Sequence, residues 1–347
     1  MTIEAVANQP RRRRFRRSGL VVTVAAVLFA AACTGADSDT EAVDATDAPS
    51  AVPSVVTTTS IWADVVSNVG CDDSVSVTTL IPQGGDPHTY EPSLRDRETM
   101  DAADLVVANG LGLEERLEDT LEAVAAEGVH VFEVAEHIDT IEFEFSGGHD
   151  DHGHDEEDGH DDHDDHAGHD HSGGDPHVWF DLQRVAGVLG ELADELIHAG
   201  ADADTVNGCL DAYREALAEA DAEVAGILDA VPADRRIMIT NHDAFGYFAD
   251  RYGFEVVGTV IPSLSTTAET NPALLEELAE IIEHEGVPAV FSETTHSDVD
   301  IQALATAAGD ISVVQLLTGS LAPAGEDGDT LIGMLRFNAQ AIADALG

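Results

Sequence analysis

Residues 206–227 read VNGCLDAYREALAEADAEVAGI, and their apolar positions decide the architecture. Val206, Leu210, Tyr213, Leu217, Ala220, Val224 and Ile227 follow one another in alternating steps of four and three, which lays them along one stripe of a helix. Pro232 ends the pattern. Roughly 26 helical residues span about 40 Å at 1.5 Å each, long enough to run the length of two lobes. Such a helix predicts a stiff spine that permits only small movements, in place of a soft hinge.

On either side of this spine, short β-branched runs alternate with helical composition. SVVTTTS (54–60), VSVTTLI (75–81), LVVANG (105–110) and VHVFEV (129–134) precede it. RIMIT (236–240), FEVVGTVI (254–261), AVFSET (289–294) and ISVVQLL (311–317) follow it. Stretches such as DRETMDAAD, EERLEDTLEAVAAEG and NPALLEELAEIIEHEG fill the gaps, and that alternation predicts parallel sheets with helical crossovers. The expected fold class is α/β: two lobes, each a four-stranded parallel sheet with helices, joined by a long rigid linker helix. The first lobe is placed at 54–204, the linker helix at 205–232 and the second lobe at 233–347. The chain's 347 residues suit this division, because single cores stop growing near about 250–300 residues.

Charge narrows the partners. There are 68 acidic residues against 15 basic ones, all arginine, for a formal net charge of −53. Arg11 to Arg14, Arg16 and Arg17 lie near the start, so the remainder is more acidic still. Such a surface repels nucleic-acid phosphates and anionic headgroups, and no nucleic-acid partner is expected. The acidity reads first as a strongly solvated surface and second as a means of drawing cations in.

Residues 1–32 read as an export signal: an arginine-rich start, the apolar run LVVTVAAVLFA, then Ala30-Ala31-Ala32-Cys33. The apolar run is short for a membrane span. Cys33 after three small residues looks like a lipobox cysteine that carries a lipid, although Ala30 stands where Leu is usual; plain secretion is the other reading. The polar stretch that follows, to residue 53, is a flexible tether. Contact with the membrane is therefore expected only through the anchor, on the outer face of a bacterial cytoplasmic membrane. Two cysteines remain, Cys71 and Cys209, and an oxidising setting makes them a candidate disulfide.

Residues 149–171 interrupt the first lobe with eight His and eleven Asp or Glu: His149, His152, His154, His160, His163, His166, His169 and His171 alternate with acids and almost nothing apolar. The segment cannot build a core and reads as a loop, and imidazoles among carboxylates give it weak auxiliary affinity for zinc, nickel or copper. Three further histidines sit in patterned surroundings. His88 lies in IPQGGDPHTYEP after a strand, His177 in GGDPHVWFD after the loop, and His242 in ITNHDAFGYF directly after a strand. Open parallel sheets hold ligands beyond the carboxyl ends of their strands. In each Asp-Pro-His the proline fixes the backbone ahead of the imidazole.

GGDPHTYEP, DPHVWFD, NHDAFGYFADRYG, the mid-chain helix, the His/Asp loop and the ending GDTLIGMLRFNAQAI together resemble the cluster A-I solute-binding lipoproteins of zinc and manganese ABC importers, over residues 54–347. The resemblance implies metal bound between two lobes and delivered to a membrane permease, with His88, His177 and His242 as ligands and no catalytic step. Many relatives add an Asp or Glu in the C-terminal loop, where LLTGSLAP here holds Gly319. The fourth position is then left to water or to Glu293, for which a structural role at the loop is the alternative. Three nitrogens favour Zn(II) as the transported ion over Mn(II), which prefers oxygen. Asp86, Asp175 and Asp243 are the neighbours from which each ring could gain a hydrogen-bond partner. A monomer is expected. Two other classes compete: an extracytoplasmic zinc-dependent hydrolase, since three His and a water also describe a catalytic zinc, and a metal-storage or adhesin lipoprotein. The chain has no H-E-x-x-H.

Overall fold

The computed structural model describes residues 52–71, 74–141 and 174–347. The export signal, Cys33, most of the tether and the eight histidines of the 149–171 tract lie outside the described residues. In chain order, the first lobe has β1 (Ser54–Thr57), α1 (Ser60–Gly70), β2 (Ser76–Thr79), α2 (Leu94–Asp101), β3 (Leu105–Ala108), α3 (Glu118–Ala126), β4 (Val131–Glu133) and α4 (Leu182–His198). The long helix α5 (Ala203–Leu228) follows. The second lobe has β5 (Ile237–Thr240), α6 (Gly246–Tyr252), β6 (Glu255–Thr259), α7 (Pro272–Glu285), β7 (Ala289–Glu293), α8 (Val299–Ala307), β8 (Ser312–Leu316) and α9 (Leu331–Leu346).

All strand pairings are parallel. The sheets run β2-β1-β3-β4 and β6-β5-β7-β8, so the second repeats the strand order of the first. In each sheet the chain winds first to one side of its opening strand and then to the other. That reversal leaves a crevice at the carboxyl ends of β1 and β3, and of β5 and β7, where parallel sheets gather ligands.

Helix α5 starts where Asp202 accepts the Thr205 N–H at 2.9 Å, a standard side-chain cap. Its buried face is Val206, Leu210, Tyr213, Leu217, Ala220 and Val224, with Leu228 in place of the half-buried Ile227. The helix ends before Pro232, at Leu228, as its last apolar position is covered. It packs on α1 and α4 of the first lobe and on α9 of the second. One continuous apolar core consequently runs from Val55 and Trp62 through Leu217 to Phe291 and Leu346, and the outer face of each sheet has its own smaller core. A core shared by both lobes resists hinge opening, because opening would expose it.

Polar contacts reinforce this. Asp221 on α5 accepts hydrogen bonds from Arg251 Nε (2.9 Å) and Tyr252 Oη (3.1 Å) on α6, and from Gln183 Nε2 (3.2 Å) on α4. One carboxylate thus joins first lobe, spine and second lobe. Cys71, at the end of α1, forms a disulfide with Cys209 on α5, with Cα atoms 5.9 Å apart. Among the described residues no helix is long and apolar enough to cross a membrane.

Candidate metal centre

The three singled-out histidines converge. His88 is 2%, His177 1% and His242 3% exposed, and their ring centroids lie 5.1 to 5.5 Å apart. His177 Nε2 is 3.3 Å from His88 Nε2 and 3.3 Å from His242 Nε2. Among the described residues these three form the group of His, Cys, Asp or Glu able to share one metal ion. Two nitrogens held 2.0–2.1 Å from a tetrahedral zinc would be roughly 3.3–3.4 Å apart. The spacing matches before any adjustment.

Each ring is delivered by a short, tied segment. Beyond β2 the ladder continues, with Leu80 N–H donating to Thr57 O and Ile81 N–H to Thr58 O, both at 2.9 Å. At Asp86-Pro87-His88 the aspartate Oδ1 accepts the His88 backbone N–H at 3.0 Å. Asp175-Pro176-His177 makes the same turn, at 2.9 Å. Asn109, at the end of β3, donates through Nδ2 to Pro176 O at 2.9 Å, and its Oδ1 accepts Trp62 Nε1–H at 3.0 Å. His242 follows β5 directly, held by Ile261 N–H to Asn241 O at 2.7 Å and Asp243 N–H to Ser263 O at 3.0 Å. Across the cleft Tyr247 Oη donates to Asp175 O at 2.8 Å, so the second lobe grips the segment that carries His177.

Of the three neighbouring acids only Asp175 is recorded against its own ring. Asp175 does approach His177, with Oδ1 2.7 Å from Nδ1. Asp86 instead takes the His88 backbone and, through Oδ2, Thr266 Oγ1 at 2.6 Å from the other lobe. At His242 the partner is Glu293, not Asp243: its two oxygens lie 2.8 Å from Nδ1, and Oε1 also accepts the His242 backbone N–H at 3.0 Å. Glu293 therefore faces the side of the ring turned away from the Nε2 cluster. In this arrangement both of its oxygens contact His242, at the ring Nδ1 and the backbone N–H, the structural role at the loop that the sequence offers as the alternative. Gly319 explains why the C-terminal loop supplies no acid either. A Cβ there would stand 2.7 Å from Pro87 Cδ, beside His88.

Burial sets the protonation. It pushes His177 well below the usual imidazole range, and the neighbouring His242 adds to this. It raises Asp175 to about 7 in spite of the His177 N–H that the carboxylate accepts. At His242 burial pulls the same way as at His177, but the charge and hydrogen bond of Glu293 outweigh it and hold the ring above its ordinary value. His242 in turn brings Glu293 below the ordinary glutamate range, against burial. The two rings are thus shifted in opposite directions, His242 toward keeping its proton and His177 toward the neutral form.

A repeated strand order, a shared core and an imidazole cluster drawn from both halves define a two-lobed α/β binding protein with a site at the lobe junction. The chain belongs to the family described as zinc-uptake complex component A, periplasmic, whose model matches residues 55–345. Among curated relatives it is 30% identical to the zinc-binding protein TroA of Treponema pallidum, over 85% of this chain and 89% of that protein. It is 28% identical to the manganese-binding lipoprotein MntA of Halalkalibacterium halodurans, over 84% of this chain and 88% of the relative. Among solved structures, the periplasmic zinc-binding protein TroA from Treponema pallidum superposes with a TM-score of 0.72 at 28% identity, covering 85% of this chain and 99% of that one.

Proposed function

We propose that the chain is the extracytoplasmic solute-binding protein of an ABC metal importer, and that His88, His177 and His242 hold Zn(II) as cargo for the permease. The observation that carries this reading is the pair of 3.3 Å Nε2 separations, drawn from two lobes, in a group more than nine-tenths buried. Imidazole is a borderline ligand suited to zinc, whereas manganese favours carboxylate and carbonyl oxygen. A donor set of three nitrogens, with the nearest acids spent on Nδ1 atoms, supports zinc; water completes four coordination. The names of relatives are divided between the two metals.

The protein acts as a monomer tethered by lipid on Cys33, in keeping with relatives named as lipoproteins. Binding is the whole task and no bond is broken, in keeping with relatives named as substrate-binding lipoproteins of metal ABC transporters. The 149–171 tract gathers ions loosely and is dispensable for the tight site. The test is metal analysis and calorimetry on protein lacking residues 149–171, with and without His177→Ala. One tight zinc per chain that disappears with the substitution is expected, a loss of more than about 100-fold, beyond the range that outer partners command. Tight manganese with negligible zinc would overturn the metal, and turnover of esters or phosphoesters would revive the hydrolase.

A further inference from the structure

Two of the three imidazoles have an acid at Nδ1 supplied by their own lobe: Asp175 behind His177 and Glu293 behind His242. The corresponding acid near His88 is Glu115, whose Oε1 lies 3.8 Å from His88 Nδ1. Its side chain is 9% exposed, and Oε1 is buried without a hydrogen-bond partner. Buried carboxylate oxygens are costly unless satisfied, so one left open beside an imidazole points to a contact that is made in another state.

The turn that carries Glu115 is built to aim it. Gly110, Leu111 and Gly112 all have positive φ, at 82°, 54° and 72°. Leu113 and Leu117 are fully buried on either side. Underneath, the buried Glu114 accepts Thr58 Oγ1–H at 2.5 Å, Asn109 N–H at 2.9 Å and Gly110 N–H at 3.2 Å. The first glutamate of the pair is spent on holding the turn, which leaves the second directed at the histidine.

We propose that Glu115 is the positioning residue for His88: when the ion occupies Nε2, His88 donates its Nδ1–H to Glu115, and all three ligands are then backed by carboxylates. A metal on Nε2 requires the proton on Nδ1 and makes it more acidic, so a carboxylate there fixes the tautomer, orients the ring and raises its basicity. The gap to be closed is about 1 Å, since such bonds are roughly 2.7–2.9 Å long. Glu115 approaches the ring from the side opposite Nε2 and is not itself a ligand. This rests on the zinc reading above.

The test compares full-length mature protein with its Glu115→Gln, Glu115→Ala, Glu115→Asp, His88→Ala and His177→Ala variants. Zinc affinity is read by competition with a chromophoric chelator, the His88 Nδ1 proton by NMR of the zinc form, and coordination by the visible spectrum of the Co(II) form. Glu115→Gln and Glu115→Ala should weaken the tight site about 10–100-fold, with partial rescue in Glu115→Asp. The His88 Nδ1 proton should move upfield in Glu115→Gln while the cobalt spectrum keeps its four-coordinate form. Affinity and resonance both unchanged in Glu115→Gln and Glu115→Ala, with zinc lost in His177→Ala, would sink the inference and leave the zinc site standing. A cobalt spectrum altered in Glu115→Gln as it is in His88→Ala would make Glu115 a ligand and also overturn it. Tight zinc that survives His177→Ala would remove the reading on which both rest.

Discussion

The two Asp-Pro-His turns share a tripeptide and diverge at the ring. In both, the aspartate accepts the histidine N–H two residues on, at 3.0 Å for Asp86 and 2.9 Å for Asp175. Asp175 then also reaches the imidazole at 2.7 Å. Asp86 turns its second oxygen to Thr89 Oγ1 at 3.2 Å and across the cleft to Thr266 Oγ1 at 2.6 Å. The local motif thus sets where the histidine backbone stands, and the surrounding fold decides whether the acid serves the ring or clasps the lobes together.

Four measurements break or sharpen that contrast. The largest effect belongs to Asp175→Asn, which removes the ionisable carboxyl behind His177 and should weaken zinc by about 10–100-fold in chelator competition. Next comes pH. Zinc takes an unprotonated imidazole, and Glu293 keeps a proton on His242 to higher pH than usual, so that proton must leave on binding. Affinity should fall about tenfold for each pH unit below the His242 value and level off above it. Glu293→Gln lowers that value, so the break in a calorimetric pH series should move to lower pH. Asp86→Asn keeps an oxygen for the His88 N–H and leaves the ring alone; it should cost only a few-fold in affinity, the scale of one hydrogen bond at about 0.5–1.5 kcal/mol. An Asp86→Asn loss equal to that of Asp175→Asn would erase the distinction between the turns. Smallest at the site is Cys71→Ser with Cys209→Ser: zinc affinity should stay level while denaturant unfolding shows a loss of about 2–5 kcal/mol.

Much of this was legible in residue order. Among the described residues all eight strands appear inside the β-branched runs, and the stripe from Val206 to Val224 is the buried face of α5. Helix α1 has no clear helical signature in the sequence, because its buried Val65, Val66 and Val69 read like the strands on either side. Asp221 falls on the buried face of α5 without belonging to the apolar pattern. It is explained only by Arg251 and Tyr252 arriving from α6. The histidines could be found because each stands next to a strand end or a proline, which are local signals. Their acids could not be assigned in the same way. Asp243 adjoins His242 in the chain, yet the ring bonds Glu293, 51 positions away, at the end of the strand beside its own. Asn109, Glu114 and Glu115 carry no local signal for the same reason: their meaning lies in loops brought together by sheet topology. Only the doubled glutamate after Gly-Leu-Gly-Leu offered a hint.

Tyr247 clamps two segments of the first lobe at once. Its hydroxyl accepts the Ile141 N–H at 3.3 Å and donates to Asp175 O, while Asp175 N–H donates to Ile141 O at 3.2 Å. Gly174 lets the strands of chain meet so closely, since a Cβ there would come within 2.6 Å of Thr140 Oγ1. Residues 141 and 175 are thereby pinned to each other and to the second lobe at one point. The histidine two residues on from Asp175 therefore takes its place from this clamp between the lobes, whatever the sequence that separates positions 141 and 174.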